Sequence, residues 1–414
     1  MSTREADVAI VGGGAAGLMA ARTCAERGLA VVVFEQMPRP GLKLLATGGG
    51  RCNVTHAAPA EAIMESFRRQ GRFMAPALAG LGADALRSWL RARGLETVVE
   101  QDGCVFPSTQ SAASVLDILA RRQDRCDVEV RTGTCVSRLL VEENNVRGVV
   151  AGGSEIRARA VILATGGKSY AALGGTGGGY ALATQAGHTL HPPVPALVPL
   201  VAEAAWPGEL AGNTMPDVEM RVCDKAFARE RARGPLLFTH RGLSGPSVLD
   251  LSGCVAEVLA RGAQAVVQIN WVAGTEAGAW AERLAEGRDA AGARRVPRLL
   301  QEFMPGALAA RLCALSDIRE DLPVARLARG QRDRLVRNLT ALQLTVAATE
   351  GFEKAMVTRG GAALKEVDPR TLQSRLVRGL FFAGEVLDLD GPCGGYNLQW
   401  AFASGMLAGQ SCLP

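Results

Sequence analysis

The chain opens on an apolar run, Asp7-Val-Ala-Ile-Val11, that stops at Gly12-x-Gly14-x-x-Gly17 and passes directly into an alanine-rich segment. Few patterns restrict a fold more tightly. A short apolar run reads as a buried strand. Gly12 permits the tight turn, Gly14 lets the backbone approach a pyrophosphate, and Gly17 lets the helix pack closely on the strand. The helix beginning at Ala15 aims its free N–H groups and positive dipole end at an anion. A second apolar run over 30–35 ends in Glu35, 18 residues past the last glycine, close to where a dinucleotide fold keeps its ribose-binding carboxylate. Strand, turn, helix, strand and acid in that order distinguish this from a glycine-rich turn. The expectation is a Rossmann-type α/β domain in which Gly12, Gly14, Ala15, Gly17, Glu35 and Gln36 hold the ADP half of a dinucleotide.

At 414 residues the chain has room for two or three domains. Its net charge of +5 permits a nucleic-acid partner without demanding one. Ten cysteines lie scattered with no C-x-x-C pair beside only four histidines, so no metal site is expected. Free thiols suit a reducing compartment. Arg4, Glu5 and Asp7 run straight into the glycine motif, leaving no room for a leader, and no apolar run reaches membrane-spanning length. A cytoplasmic protein without a membrane partner is expected.

Further along, Gly41-Leu-Lys-Leu-Leu-Ala-Thr-Gly-Gly-Gly-Arg-Cys-Asn53 makes little sense as a core element. It reads as a loop lying against a ligand, with backbone N–H groups and Arg51 facing anionic or carbonyl oxygens. Lys43 is either a phosphate contact or a solvated lysine. Residues 60–125 read as mainly helical, interrupted by a hairpin over 98–105 with an Asp-Gly turn. Strands are expected over 128–140, 146–151 and 156–164, the last running into Ala164-Thr-Gly-Gly167. Position 180 is tyrosine, so the 174–179 glycines form no second G-x-G-x-x-G and no separate NAD(P) domain.

Prolines at 192, 193, 195 and 199 mark a boundary. Short β-like runs follow at 218–222, 236–238 and 265–270, then a helical, arginine-rich stretch over 274–338. Near the end Phe381-Phe-Ala-Gly-Glu385 reads as a buried strand ending in an acid. It leads through Asp388 to Gly391-Pro-Cys-Gly-Gly-Tyr-Asn-Leu-Gln399 and a last helix. A helix N-terminus there suits a flavin's pyrimidine edge, where negative charge gathers on reduction. Two such motifs at opposite ends of one chain, enclosing an insertion, favour FAD over NAD.

Three segments, GLKLLATGGGRCNVTH (41–56), FTHRGLSGP (238–246) and FFAGEVLDLDGPCGGYNLQWAFASG (381–405), give the chain a further likeness. It resembles, along nearly its whole length, the BaiN/RdsA-like flavoproteins typified by YhiN and BaiN. The resemblance implies a glutathione-reductase-like FAD domain (1–190 and 345–414) interrupted by a β-rich insert (191–273) and a small helical insert (274–344). It implies non-covalent FAD, with NAD(P)H as a transient electron donor. Arg51, Cys52 and Asn53 would line the flavin, and Glu385, Asp388, Asn397 and Leu398 its ribityl and pyrimidine end. Val136, after Cys135, would touch adenine through backbone. Lys43, Gly50, Thr165, Gly166, Gly384 and Gly395 complete the expected cofactor set.

The function expected is hydride transfer between flavin N5 and an activated C=C or C=N bond. A proton donor must face the flavin across the substrate; the candidates are Cys52, Cys393, His240 and Tyr396. Family members are linked to reduction of uridine in ribosomal RNA and of bile-acid rings, so RNA and a small molecule both stand as substrates. Arg221, Lys225, Arg229, Arg231, Arg233 and Arg241 form a basic cluster that suits RNA, offset by Asp217, Glu219, Asp224 and Glu230. A non-enzymatic redox sensor or scaffold is the remaining alternative.

Overall fold

In a computed structural model that describes residues 6–121, 128–290 and 294–413, the backbone divides into two units. One comprises Met1–Pro193 with Met356–Pro414, the other Val194–Ala355. Arg4 and Glu5, and residues 122–125 and 291–293 of the expected helical stretches, lie outside the described residues.

The first unit is built on a seven-stranded sheet. Strand β1 (Ala6–Val11) pairs in parallel with β2 (Val31–Phe34) on one side and with Ser154–Leu163 on the other. Val128–Arg131 extends the sheet beyond β2, and Leu380–Phe382 returns from the far end of the chain to lie parallel to Ser154–Leu163. Asn145–Ala151 and Val136–Glu142 complete it as an antiparallel meander. β2 is buried throughout and β1 from Val8 onward, as parallel strands covered on both faces must be. The expected 128–140 strand is two strands. Gly133, at φ 63°, turns the chain between them, so the first half joins β2 and the second pairs with Asn145–Ala151. The 98–105 hairpin consists of Thr97–Val99 and Cys104–Pro107, with Thr55–His56 as a third strand.

Helix α1 (Ala15–Glu26) has ten of its twelve residues buried, so it is enclosed on more than one side rather than amphipathic. Its second partner is the final helix, Tyr396–Ser411. A Cβ at Gly405 would meet Ala16 O at 2.3 Å, and one at Gly409 would meet Ala20 O at 2.8 Å. Two steps of four residues in the same direction mean that the helices run parallel in tight contact, with both N-termini at one end. Gly384, just after the returning strand, sits against the Ala16 side chain at that end.

The second unit holds a closed six-stranded barrel, Leu200–Ala202, Gly242–Ser244, Arg231–Thr239, Thr214–Val222, Ala265–Asn270 and Leu342–Thr349 in spatial order. Phe238 stacks on Trp271 at 5.7 Å in its interior. Helices Ala277–Ala290, Val296–Leu300, Gly306–Ala314 and Arg329–Thr340 bury Trp280, Leu308, Leu312 and Leu339 in the same core as the barrel strands. The β-rich 191–273 and helical 274–344 segments therefore share one core. The strand that closes the barrel, Leu342–Thr349, straddles the 344/345 boundary expected from sequence.

Candidate functional site

At the end of β1 the chain turns at Gly12 (φ 105°), whose N–H donates to Phe34 O. The three motif glycines differ sharply in surroundings. A Cβ at Gly12 would meet Ala164 O at 2.4 Å and one at Gly17 would meet Gly12 O at 1.9 Å, whereas a Cβ at Gly14 would have nothing within 4 Å. Gly12 and Gly17 are held by the protein's own packing; Gly14 faces open space at the start of α1. That helix carries no side-chain cap and no acid in its first turn, so its leading N–H groups remain available to an anion. Glu35 is buried and bidentate, accepting from Gly13 N at 2.7 Å and Met37 N at 2.8 Å. Thr134 N and Gly133 N donate to Glu35 O and Met37 O, so Cys135 and Val136 pass the end of β2. Gln36 turns to the 174–179 loop, its Nε2 donating to Gly174 O at 2.6 Å.

The 41–53 segment holds more order than a loop. Leu42–Ala46 is a short helix, and Thr47–Gly50 is a turn in which Gly48 and Gly49 are left-handed. Lys43 on that helix reaches across the sheet ends, donating from Nζ to Ser169 Oγ at 2.7 Å and to Glu385 Oε2 at 2.8 Å. Glu385 Oε1 accepts from Thr358 N at 2.8 Å, and Ser169 Oγ lies 3.3 Å from it. Nearby, the Tyr180 hydroxyl is buried with no well-formed hydrogen bond among the described residues; burial, then the charge of Glu385, raises its pKa against an opposing influence of Thr358. Thr165 sits beneath the start of Gly178–Gln185, where a Cβ at Gly179 would strike its Oγ1 at 1.9 Å, while a Cβ at Gly166 would meet nothing within 4 Å. Sequence reading anticipated Lys43 and Glu385. It gave no role to Ser169, Thr358 or Tyr180, although each lies within two residues of a glycine pair.

The closing segment, 391–399, folds onto the Asn53–His56 backbone. A Cβ at Gly395 (φ 93°) would meet Thr55 O at 2.5 Å and Asn53 Oδ1 at 2.6 Å. Thr55 Oγ1 donates to Gln399 Oε1 at 2.6 Å, whose amide in turn donates to Leu81 O. Asn397 spends its amide on the turn itself, accepting from Gly391 N at 2.8 Å and donating to Gly391 O at 2.9 Å. It shapes the loop while its neighbours present backbone. Leu398 is half-buried against the main core. Tyr396, the first residue of the final helix, stacks on His56 at 4.8 Å, and His56 Nδ1 lies 3.2 Å from Gly394 O. Asp388 is set apart from this turn, buried and held by Gln70 Nε2 at 2.8 Å and His191 Nδ1 at 2.5 Å.

Three of the four proton-donor candidates, Cys52, Cys393 and Tyr396, belong to the first unit, and His240 belongs to the second. Cys52 is fully buried at φ 64°, and burial pushes its thiol up to about 12. That side chain is a sealed, neutral part of the core, although its backbone borders the glycine turn. Cys393 and Tyr396 share the closing loop. His240 is exposed on the turn after Arg231–Thr239, in the barrel unit. Arg51 does not project as a free cation. Its guanidinium is fixed by Glu100 Oε1 at 2.8 Å and Gln110 Oε1 at 3.1 Å and lies 3.9 Å over the Phe106 ring, since paired and stacked arginine is better placed than a bare one. In the barrel's basic cluster, Arg231 pairs with Glu219 at 2.8 Å and Arg233 with Asp217 at 2.6 Å across one strand pair.

The residues present fit FAD. Around the sheet's carboxyl ends they offer an uncapped helix start with open space, an acid at the end of β2, a lysine–carboxylate cluster beside an orphaned hydroxyl, and a second helix start parallel to the first. Among the described residues no cluster of His, Cys, Asp or Glu could hold a metal ion, and no helix is long and apolar enough to cross a membrane.

Comparison with known proteins agrees with this geometry. Residues 6–411 match the model of the HI0933-like protein Rossmann domain. The chain is 35% identical over 411 residues, 98% of each chain, to a 3-dehydro-bile acid delta(4,6)-reductase of Clostridium scindens. It is 30% identical over 402 residues, 95% of each chain, to a ribosomal RNA dihydrouridine synthase of Haemophilus influenzae. Among solved structures, the fold is similar to a 3-ketosteroid delta1-dehydrogenase from Sterolibacterium denitrificans, with a TM-score of 0.52, 14% identity and 99% of each chain covered.

Proposed function

This chain belongs to the HI0933-like Rossmann family and is an FAD-dependent oxidoreductase, and on that premise we propose that it reduces a C=C bond conjugated to a carbonyl in a small cyclic molecule. The observation that carries the reading is the 35% identity, end to end, with a reductase of such a bond. Bound FAD would supply the hydride from N5.

The chain's own residues would divide the remaining work. The N–H groups opening α1 would hold the pyrophosphate and Glu35 the adenosine ribose. Lys43 and Glu385 would hold the ribityl end. The final helix, with no acid in its first turn, would offer its positive end to the negative charge that a flavin gains on reduction. Tyr396 is the group we assign to proton delivery, its ring fixed by the His56 stack and its position fixed by the helix start. NAD(P)H is the proposed reductant.

A second reading, uridine in ribosomal RNA, is favoured by Lys225, Arg229 and Arg241, which are exposed and pair with no acid among the described residues. Both substrates offer the same chemistry, a ring C=C beside a carbonyl. The deciding experiment reduces the purified yellow protein anaerobically with NADH or NADPH. It then offers a steroid-like cyclic enone or ribosomal RNA from cells lacking the gene. Reoxidation of the flavin with a product two hydrogens heavier from the enone supports the first reading; turnover with RNA alone overturns it for the second. Stable reduced protein with either acceptor refutes both.

A further inference from the structure

Cys24, in the last turn of α1, and Cys412, directly after the final helix, are 388 residues apart in sequence, yet their Sγ atoms lie 3.5 Å apart. Both are free thiols and buried. The contact is the third step of a regular packing. Gly405 meets Ala16, Gly409 meets Ala20, and the next turn of each helix brings the two sulfurs together. Arg27 closes the arrangement. Its guanidinium donates to Gly409 O at 2.8 Å, to Leu413 O, and reaches Cys412 Sγ at 3.9 Å.

This pair differs from two buried cysteines packed as small hydrophobes. Either thiol can donate to the other, and each also reaches Gly409 O, Cys24 at 3.6 Å and Cys412 at 3.4 Å. Hydrogen bonding between the pair, with help from the Arg27 cation beside it and against burial, holds the Cys412 thiol below its ordinary value. The same hydrogen bond, then burial, pushes the Cys24 thiol up. The guanidinium 3.9 Å from Cys412 Sγ makes that sulfur the better placed of the two to carry a thiolate.

We propose that Cys24 and Cys412 are a redox site that hydrogen peroxide converts to a disulfide, joining α1 to the end of the final helix. The Cys412 thiolate attacks one peroxide oxygen, the O–O bond breaks, and the departing hydroxide takes up the proton Cys412 has released, giving water and a sulfenic acid. Cys24 then attacks Cys412 Sγ; the S–O bond breaks, and the leaving hydroxide takes the Cys24 proton to form a second water. Two thiols lose two electrons and one peroxide becomes two waters. The sulfurs, 3.5 Å apart, must close by roughly 1.5 Å to reach bonding distance. A flavoprotein whose reduced form meets dioxygen is itself a source of that oxidant. The crosslink would fix together the two helices whose N-termini face the cofactor.

The test treats the holoprotein with hydrogen peroxide at a dose that oxidises the exposed Cys135 and Cys223. Remaining thiols are alkylated under denaturing conditions, and the unreduced digest is read by mass spectrometry. The expected result is a crosslinked pair of peptides carrying Cys24 and Cys412, about 2 Da lighter than their sum. The oxidised protein should also have a Tm higher by roughly 5 °C or more, reversed by dithiothreitol and absent in Cys24→Ala and Cys412→Ala. Recovery of both residues as alkylated thiols, or as sulfinic or sulfonic acids without a crosslink, overturns the proposal. The peptide map on unaltered protein decides the matter even if either variant fails to fold.

Discussion

Gly14 and Gly17 lie three residues apart in one motif, and the structure assigns them opposite consequences on substitution. An alanine Cβ at Gly17 would sit 1.9 Å from Gly12 O, about 1 Å inside any tolerable contact. Strand and helix must move apart, so Gly17→Ala is expected to cost the protein roughly 3 kcal/mol or more even without cofactor. At Gly14 the Cβ meets no protein atom within 4 Å and the backbone is extended (φ −82°, ψ −169°), a conformation alanine accepts. Gly14→Ala should change the stability of cofactor-free protein by less than about 1 kcal/mol. Its effect appears only on FAD, because the added methyl occupies the space a pyrophosphate oxygen needs. Loss of one hydrogen bond to a charged oxygen, about 1.5–3 kcal/mol, weakens binding by about 10- to 150-fold. The assay pairs chemical unfolding of apoprotein with FAD titration followed by flavin fluorescence. Native FAD affinity in Gly14→Ala would refute the placement of the pyrophosphate. Equal destabilisation of both apoproteins would refute the packing argument.

Tyr396→Phe should retain FAD and its reduction by NAD(P)H while turnover of the acceptor falls roughly 100-fold or more, measured by stopped-flow reoxidation. In a double-mutant cycle, Lys43→Met and Glu385→Gln should couple by roughly 1–3 kcal/mol in apoprotein stability, and additive effects would show that the 2.8 Å pair contributes nothing. Asp368 is held at about 2 by hydrogen bonds from the Arg370 side chain and then its N–H, a depressed folded value. Its contribution to stability is therefore complete above the unfolded value of about 3.9 and is lost as pH falls toward 2. Asp368→Asn should flatten acid unfolding in that window. Cys52, sealed in the core with its thiol raised to about 12, should resist iodoacetamide in native protein at pH 8 under conditions that label Cys135.

The parts of this molecule legible in its sequence are those with local signatures. The β1–α1–β2 opening carries its glycines and acid in order, and the returning strand and final helix repeat that grammar at the other end. The barrel is different. Leu200–Ala202 and Gly242–Ser244 are three-residue strands, too short to show alternation, and closure depends on pairing Leu200 with Thr349 across the unit. The helices over 277–340 read correctly as helices, yet nothing in their periodicity says that their apolar faces enter the barrel's core. The Lys43–Ser169–Thr358–Glu385 cluster has the same cause. Its members come from four separate segments; each has glycines close by, but no local pattern says that the four meet. Arg51 shows the limit of such patterns, because one that marks a ligand loop also suits an arginine turned back onto Glu100 and Phe106.

The parallel seam of small residues between α1 and the final helix governs when the protein can take up its cofactor. Helix α1 is synthesised first, and its packing partner begins at Tyr396. At about 5–20 residues per second a translating ribosome needs roughly 20–80 s to supply it. Throughout that interval the nascent chain has only half of its cradle, with Ala16 and Ala20 uncovered. FAD loading is therefore expected to wait until the final helix has been made, and cells short of flavin should accumulate apoprotein rather than stalled chains.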